Sequence, residues 1–191
     1  MTAKLGICSL MLALLGLVGT VHAQSPYRVD YFSNANTAGA PDATLRFDND
    51  GAAASANLCA DLFIFDSNEE MSECCSCLET PDGLRTLSLN SDLTANPLTG
   101  VILSNGVIKI IAAAPKSDTC PTPNKILLVP DGEIQGWSTH IQNGTFGLTE
   151  AASQVSYLST NEQERLAQQC GAIRATGSGH GICSCGTGTG S

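Results

Sequence analysis

Positive charge is scarce in this chain. Nine lysines and arginines stand against 18 aspartates and glutamates, a formal net charge of −9. So acidic a surface is repelled by nucleic acid and by anionic lipid, which excludes partners that need a basic patch. Solubility outside the cell is the plainer reading of the same charge. Histidine is nearly as rare: His22 falls in the leader described below, leaving His140 and His180. No G-x-S-x-G elbow, H-E-x-x-H pair or G-x-x-x-x-G-K-[ST] loop occurs. No local motif therefore announces a serine hydrolase of the elbow type, a zincin or a P-loop NTPase. After Val21 no apolar run approaches the ~20 residues that cross a bilayer as a helix.

What is present begins with a leader. Lys4 supplies a positive n-region, Leu5 to Val21 a mostly apolar h-region, and Val21-His22-Ala23 a small-x-small cleavage form. Residues 1–23 read as a signal peptide rather than an anchor, and Cys8 lies inside the h-region rather than after a lipoprotein cleavage site. Cleavage leaves 168 residues with a net charge of −10. That is one ordinary domain, expected over 24–185, with a flexible glycine-rich tail over 186–191. The localisation implied is secreted, periplasmic or cell-surface.

Eight cysteines remain: Cys59, Cys74, Cys75, Cys77, Cys120, Cys170, Cys183 and Cys185. An even number on a secretory route makes four disulfides the default. Residues i and i+2 of a strand share a face. Cys75 and Cys77 can therefore bridge Cys183 and Cys185 as two rungs, with Cys74 on the other face reaching Cys59, and Cys120 reaching Cys170. Two other readings compete. Cys75, Cys77, Cys183 and Cys185 could hold zinc as thiolates, although the C-x-C spacing and an oxidising compartment work against it. Cys74-Cys75-Ser76-Cys77 contains C-x-x-C, but Glu69, Glu70, Glu73 and Glu79 surround it and disfavour a reactive thiolate. Leu78 stands where haem attachment needs histidine. No cofactor is expected.

The stretch 57–90 organises the rest. Asn57 to Asp66 is apolar on both faces and predicts a central strand. Ser67 to Glu73 reads as its polar connection, and Thr80-Pro-Asp-Gly83 as a turn. Tyr27 to Phe32 alternates, with Tyr27, Val29 and Tyr31 on the face expected to be buried and Arg28 and Asp30 opposite. Ala43 to Phe47, Leu84 to Leu89, Gly106 to Ala113, Lys125 to Val129 and Ile134 to Ile141 are further strands. Val101 to Leu103 and Ser104-Asn-Gly106 suggest a hairpin into the third of these. Thr149 to Leu158 is ambiguous. Ser159-Thr-Asn-Glu162 has the capping-box form, and Leu166, Cys170 and Ile173 make one apolar stripe of a helix running to Ile173. The fold class expected is mainly β: a disulfide-stabilised, sandwich-like domain with one C-terminal helix.

Candidate chemistry is thin. His140 or His180 could serve a Ser-His-Asp site only if the fold brings a serine and a carboxylate to it. Glu133, Trp137 and His140 form the nearest approach to a cluster; the blander reading keeps Trp137 in the core and Glu133 on a solvated turn. Gly177-Ser-Gly-His-Gly181 reads as a flexible approach to Cys183, with His180 as a metal ligand the sharper alternative. Asp48-Asn-Asp-Gly51 resembles a fragment of a calcium loop but lacks the remaining ligands, and a tight turn wants the same residues. Asn143-Gly-Thr145 is a glycosylation sequon if the source is eukaryotic. Paired carboxylates of a glycosidase leave no local trace.

Asn57-Leu-Cys59, Phe63-Ile-Phe-Asp66, Glu73-Cys-Cys-Ser-Cys77, Asn96-Pro-Leu-Thr-Gly100, Gly106-Val-Ile-Lys109, Thr139-His-Ile141 and Gly177-Ser-Gly-His-Gly-Ile-Cys183 together resemble a group of secreted, cysteine-rich bacterial proteins of unknown function. The resemblance covers most of the chain after the leader. It implies bacterial export and carries no activity or site residue. The leading functional expectation is a non-catalytic surface or binding module for an extracellular ligand or protein. The alternatives are a secreted hydrolase whose carboxylates converge only in the fold, and a self-assembling subunit in which Tyr27 to Phe32 pairs with a neighbour's sheet edge.

Overall fold

The computed structural model describes residues 25–51, 57–121, 123, 125, 126, 128, 134–142 and 146–186. The expected signal peptide, the tail beyond Gly186, Glu133 and the Asn143 sequon lie outside these residues. Among the described residues nine strands form two antiparallel sheets. They are β1 (Ser25–Phe32), β2 (Thr44–Asn49), β3 (Leu58–Asp66), β4 (Met71–Glu79), β5 (Leu84–Ser88), β6 (Gly106–Ala113), β7 (Ile134–Ile141), β8 (Leu148–Ala152) and β9 (Gln154–Leu158), followed by helix α1 (Thr160–Ala175). One sheet runs β4-β3-β6-β1-β9 and the other β5-β2-β7-β8. The protein is thus a mainly β, disulfide-linked sandwich with one C-terminal helix.

β3 is central because its sequence gives it two apolar faces. Leu58, Ala60, Leu62 and Ile64 point between the sheets at Leu45, Phe47, Leu87, Ile108 and Ile110. Cys59, Phe63 and Phe65 point the other way, beneath Leu166, Ala167, Cys170 and Ile173 of α1. Each fully buried Leu, Ile or Phe contributes roughly 1.5–3 kcal/mol. The result is three layers: four-stranded sheet, five-stranded sheet, helix. α1 starts where its capping serine predicts, with Ser159 Oγ accepting from the Glu162 N–H at 3.2 Å. Glu162 does not complete the box; its carboxylate pairs with Lys109 and Arg165.

Strand β1 corrects the expected face. Its period is two, but Arg28, Asp30 and Phe32 are the buried set and Tyr31 is 60% exposed. The charges go inward because partners await them. Arg28 donates from Nε to the Ile134 carbonyl and from Nη2 to Gln135 Oε1, both at 2.8 Å. Asp30 accepts from Ser138 and Ser153. β1 is also hydrogen-bonded on both sides, to β6 and to β9. β9 reaches only from Ser25 to Val29 and β6 from Arg28 to Phe32, so within Tyr27 to Phe32 a neighbour's strand would find Arg28 and Val29 already paired on both sides, Tyr27 paired with β9, and Asp30 to Phe32 paired with β6.

Other expectations shift. Thr149 to Leu158 resolves into β8 and β9, one at the edge of each sheet, with Ser153 between them. Val101 to Leu103 pairs with no strand, and β6 lies between β3 and β1 instead of in a hairpin. Gly106 still carries information: a Cβ there would sit 2.0 Å from the Phe65 carbonyl oxygen, so the close approach of β6 to β3 requires glycine. Of the strand expected over Lys125 to Val129, residues 127 and 129 lie outside the described residues, and Leu128 makes an isolated bridge to Ala113. Gly186, the expected start of the loose tail, would bring a Cβ within 3.3 Å of Leu87.

The cysteines pair as Cys59–Cys120, Cys74–Cys170, Cys75–Cys183 and Cys77–Cys185. The last two are the rungs that the C-x-C faces suggest. The pairings Cys74 with Cys59 and Cys120 with Cys170 do not occur. Cys59 and Cys74 share the helix face, but Cys59 stands opposite Leu78 and Cys74 opposite Phe63. Four residues along a strand is roughly 13 Å, beyond the reach of a disulfide. Cys74 instead meets Cys170 on the helix above it.

Candidate functional site

A cleft of about 460 Å³ opens where the β3–β4 turn, the segment Leu98–Thr99 and the last turns of α1 meet. Each wall has a local cause. In the turn, Asp66 Oδ1 accepts the backbone N–H groups of Asn68 at 2.8 Å and Glu70 at 2.9 Å. Glu69 adopts φ +66°. That wrapping holds Asp66, Glu69 and Glu70 on one rim. The next residues, Met71 and Ser72, sit at a register shift, since Ile64 pairs with Glu73 but Phe65 with Met71. Ser72 is the extra residue of this bulge, and a bulge re-aims a side chain. Its carbonyl accepts from the Leu98 N–H at 3.0 Å, which draws the third wall in.

α1 contributes Gln169, Ala172 and Ile173, and its C-cap contributes Thr176, one face by their helical spacing. The Cys74–Cys170 disulfide clamps this face to β4 beside the cleft, with Cα atoms 5.9 Å apart. From behind, the strap Gly177–Cys185 lies along β4: the Cys74 N–H donates to the Gly181 carbonyl at 2.9 Å, and Gly181 donates to the Asn96 carbonyl at 2.7 Å. Gly181 has φ +80°, and a Cβ on it would lie 2.5 Å from Ile173 Cγ2. The segment read as a flexible approach is thus a pinned strap that also covers the open edge of β4.

The lining is polar in a particular sense. Ser72 is 6% exposed, and its Oγ has no hydrogen-bond partner; nor has the buried Oε1 of Gln169. The floor is apolar, from Met71, Leu98, Ala172 and Ile173. On the far side of the Asp66–Glu69 turn lies a second hollow of about 190 Å³, lined by Phe65, Val107, Lys109 and Arg165 as well as the turn. Its cations are occupied, since Lys109 and Arg165 both bind Glu162.

No known protein family, curated protein or solved structure matches this chain. The site is therefore read from its own chemistry. His140, on β7, does meet a serine and a carboxylate. Ser138 Oγ lies 2.9 Å from His140 Nε2 and donates to Asp30 Oδ1 at 2.6 Å. The order is wrong for nucleophilic catalysis. In a working triad histidine sits between serine and acid and takes the serine proton. Here Ser138 gives its single proton to Asp30, so His140 Nε2 must donate to Ser138 Oγ. His140 Nδ1 is buried without a partner, and Ser138, His140 and Ser153 are each under 8% exposed. Burial raises the Asp30 pKa, against the lowering effect of Ser138, Ser153 and His140. This network ties β1 to β7 across the sandwich; it offers no open nucleophile.

The remaining candidates disperse. Trp137 is not core: it alternates with the buried Ser138 and His140 and is half-buried on the outer face of β7. His180 is exposed on the strap, its Nδ1 2.9 Å from Asn96 Oδ1. The sulfurs of Cys75, Cys77 and Cys185 lie within 4.8 Å of one another, but each is in a disulfide, which leaves no thiolate for zinc. Cys74 and Cys77, the C-x-x-C pair, face opposite sides of β4 and bond elsewhere. Burial and the neighbouring Asp50 raise the pKa of Asp48. Yet, among the described residues, no three carboxylates converge as metal ligands. Sequence reasoning passed over Ser72 and Gln169, because one lay in a polar connection and the other lies off the Leu166–Cys170–Ile173 stripe of the helix. Their proximity follows only from knowing that Cys74 pairs with Cys170.

Proposed function

We propose that this protein is an exported, disulfide-stabilised, non-catalytic binding module, and that the cleft between β4 and α1 holds its ligand. The observation that carries the reading is the pair of unsatisfied oxygens in the cleft wall, Ser72 Oγ and Gln169 Oε1. A buried polar atom left without a partner costs about 1–3 kcal/mol, which a bound molecule would recover. Four disulfides, with no helix among the described residues long and apolar enough to cross a membrane, support export to an oxidising compartment. The bacterial resemblance supports the same compartment.

The hydrolase reading draws on the three carboxylates of the cleft. They stand on a single turn, and the opposite wall, α1, supplies none. Glycoside hydrolysis needs carboxyl groups flanking the scissile bond. Neither His140 nor Trp137 lines the cleft. Both points favour binding over turnover.

The test is a screen of small polar and amphipathic compounds by ¹H–¹⁵N NMR on the oxidised protein. The expected result is that the amides of Ser72, Leu98, Gln169 and Ile173 shift together while the compound is recovered unchanged. Shifts that cluster away from these residues for every compound would overturn the site. A chemically altered compound, with the alteration abolished in Glu70→Gln, would overturn the non-catalytic reading.

A further inference from the structure

We propose that the ligand of the cleft is an organic cation on an aliphatic stem: a guanidinium or alkylammonium group, whether a free base or an arginine or lysine side chain. This rests on the binding reading above and names the chemistry of that same site. The walls offer acceptors and no competing cation. Asp66, Glu69 and Glu70 bring carboxylates, Gln169 brings a buried, unpartnered carbonyl oxygen, and Ser72, Thr99 and Thr176 bring hydroxyls; no lysine, arginine or histidine is among the lining residues. A ligand that satisfies such a wall must be rich in donors, and a guanidinium carries five N–H groups with no acceptor.

Gln169 Oε1 and Ser72 Oγ make the site more than an acidic patch. Ser72 is more than nine-tenths buried and sits at a bulge that turns it into this wall. The floor of Met71, Leu98, Ala172 and Ile173 gives methylene groups an apolar surface. A bare metal ion fits less well. Outside the disulfide sulfurs, no three His, Cys, Asp or Glu ligand atoms among the described residues come within 4.8 Å of one another. Carboxylates spread along a rim suit a delocalised cation, which shares its charge over several contacts. The excess of acid over base in the whole chain attracts such a ligand and repels an anionic one.

The experiment titrates four probes of matched size into the oxidised protein: butylguanidinium, butylammonium, the neutral isostere butylurea, and pentanoate. Affinity is read from the NMR shifts of the Ser72, Leu98 and Gln169 amides. The expected order is butylguanidinium, then butylammonium, with butylurea about tenfold weaker than butylguanidinium and pentanoate without effect. The double variant Glu69→Gln/Glu70→Gln, in an exposed turn, should fold normally, lose about tenfold in butylguanidinium affinity and leave butylurea unchanged. N-acetyl-arginine amide binding more tightly than butylguanidinium would assign the ligand to a peptide, and the reverse to a free base; either supports the proposal. Butylurea or pentanoate binding as well as the cations overturns the cationic class while the cleft remains a binding site. Failure of all four also overturns the class. The site itself falls only if the broader screen leaves the cleft amides unmoved as well.

Discussion

Asp61 is a carboxyl placed where charge is costly, and Asp61→Asn should reveal it. It lies on β3 beneath α1, 2% exposed, and its Oδ1 accepts from Ser76 Oγ at 2.5 Å. Burial pushes its pKa from 3.8 to about 7, with the Ser76 hydrogen bond opposing the rise. In the unfolded chain the group ionises near 4. Between these values the folded state holds a proton that the unfolded state has released. Stability must therefore fall as pH rises from about 4 to about 7, by about 1.4 kcal/mol per pH unit for this one group, and level off above. Over the whole window the loss is about 4 kcal/mol. Asparagine cannot ionise, so the variant should gain on the native protein by about that amount between pH 4 and pH 8. Glu73, also raised to about 7 by burial, is present in both proteins and cancels in the difference. Guanidinium denaturation with disulfides intact, at steps of pH, measures both curves. The new amide's own hydrogen bonding shifts one curve by a constant and leaves the slope untouched. Two parallel curves would refute the reasoning, because they would mean that Asp61 ionises alike in the folded and unfolded states.

Replacing the clamp with Cys74→Ser/Cys170→Ser should lower stability by about 2–4 kcal/mol and broaden the NMR signals of the cleft, whereas Cys59→Ser/Cys120→Ser should cost a similar amount and leave the cleft signals sharp. Ser138→Ala removes the hydroxyl shared by Asp30 and His140 and should cost about 1–3 kcal/mol in denaturant titration. Gly106→Ala drives a Cβ into the Phe65 carbonyl and should cost at least about 3 kcal/mol, measured the same way. Peptide mapping of the oxidised protein should recover Cys75 linked to Cys183 and Cys77 to Cys185, with no thiol released by a chelator; a chelator-dependent thiol would restore the zinc reading.

Much of the fold was legible because it rests on period and on covalent reach. Seven of the nine residues of β3 are apolar and fall on both faces, and only a strand covered on both sides accepts that pattern. Ser159 and the Leu166–Cys170–Ile173 stripe announced α1. The C-x-C spacing set two cysteines on one face of β4. The face of β1 was not legible, because alternation reveals two faces but not which of them finds partners. Arg28 and Asp30 turned inward to Ile134, Gln135, Ser138 and Ser153, residues more than 100 positions away. The cleft was hidden for the same reason: Ser72 and Gln169 are 97 positions apart.

The chain by itself determined its class: cysteines spaced to share a strand face, a run of alternating strands and one capped helix, all set by neighbours within a few residues of one another. Tertiary structure alone decided which cysteine meets Cys74, that Ser138 gives its proton to Asp30 rather than to His140 in an order unfit for catalysis, and that an acceptor-lined cleft opens between β4 and α1. Local patterns set what each segment can be. Which side chains meet depends on register and on layers stacked across the whole chain, and no short stretch of sequence encodes that.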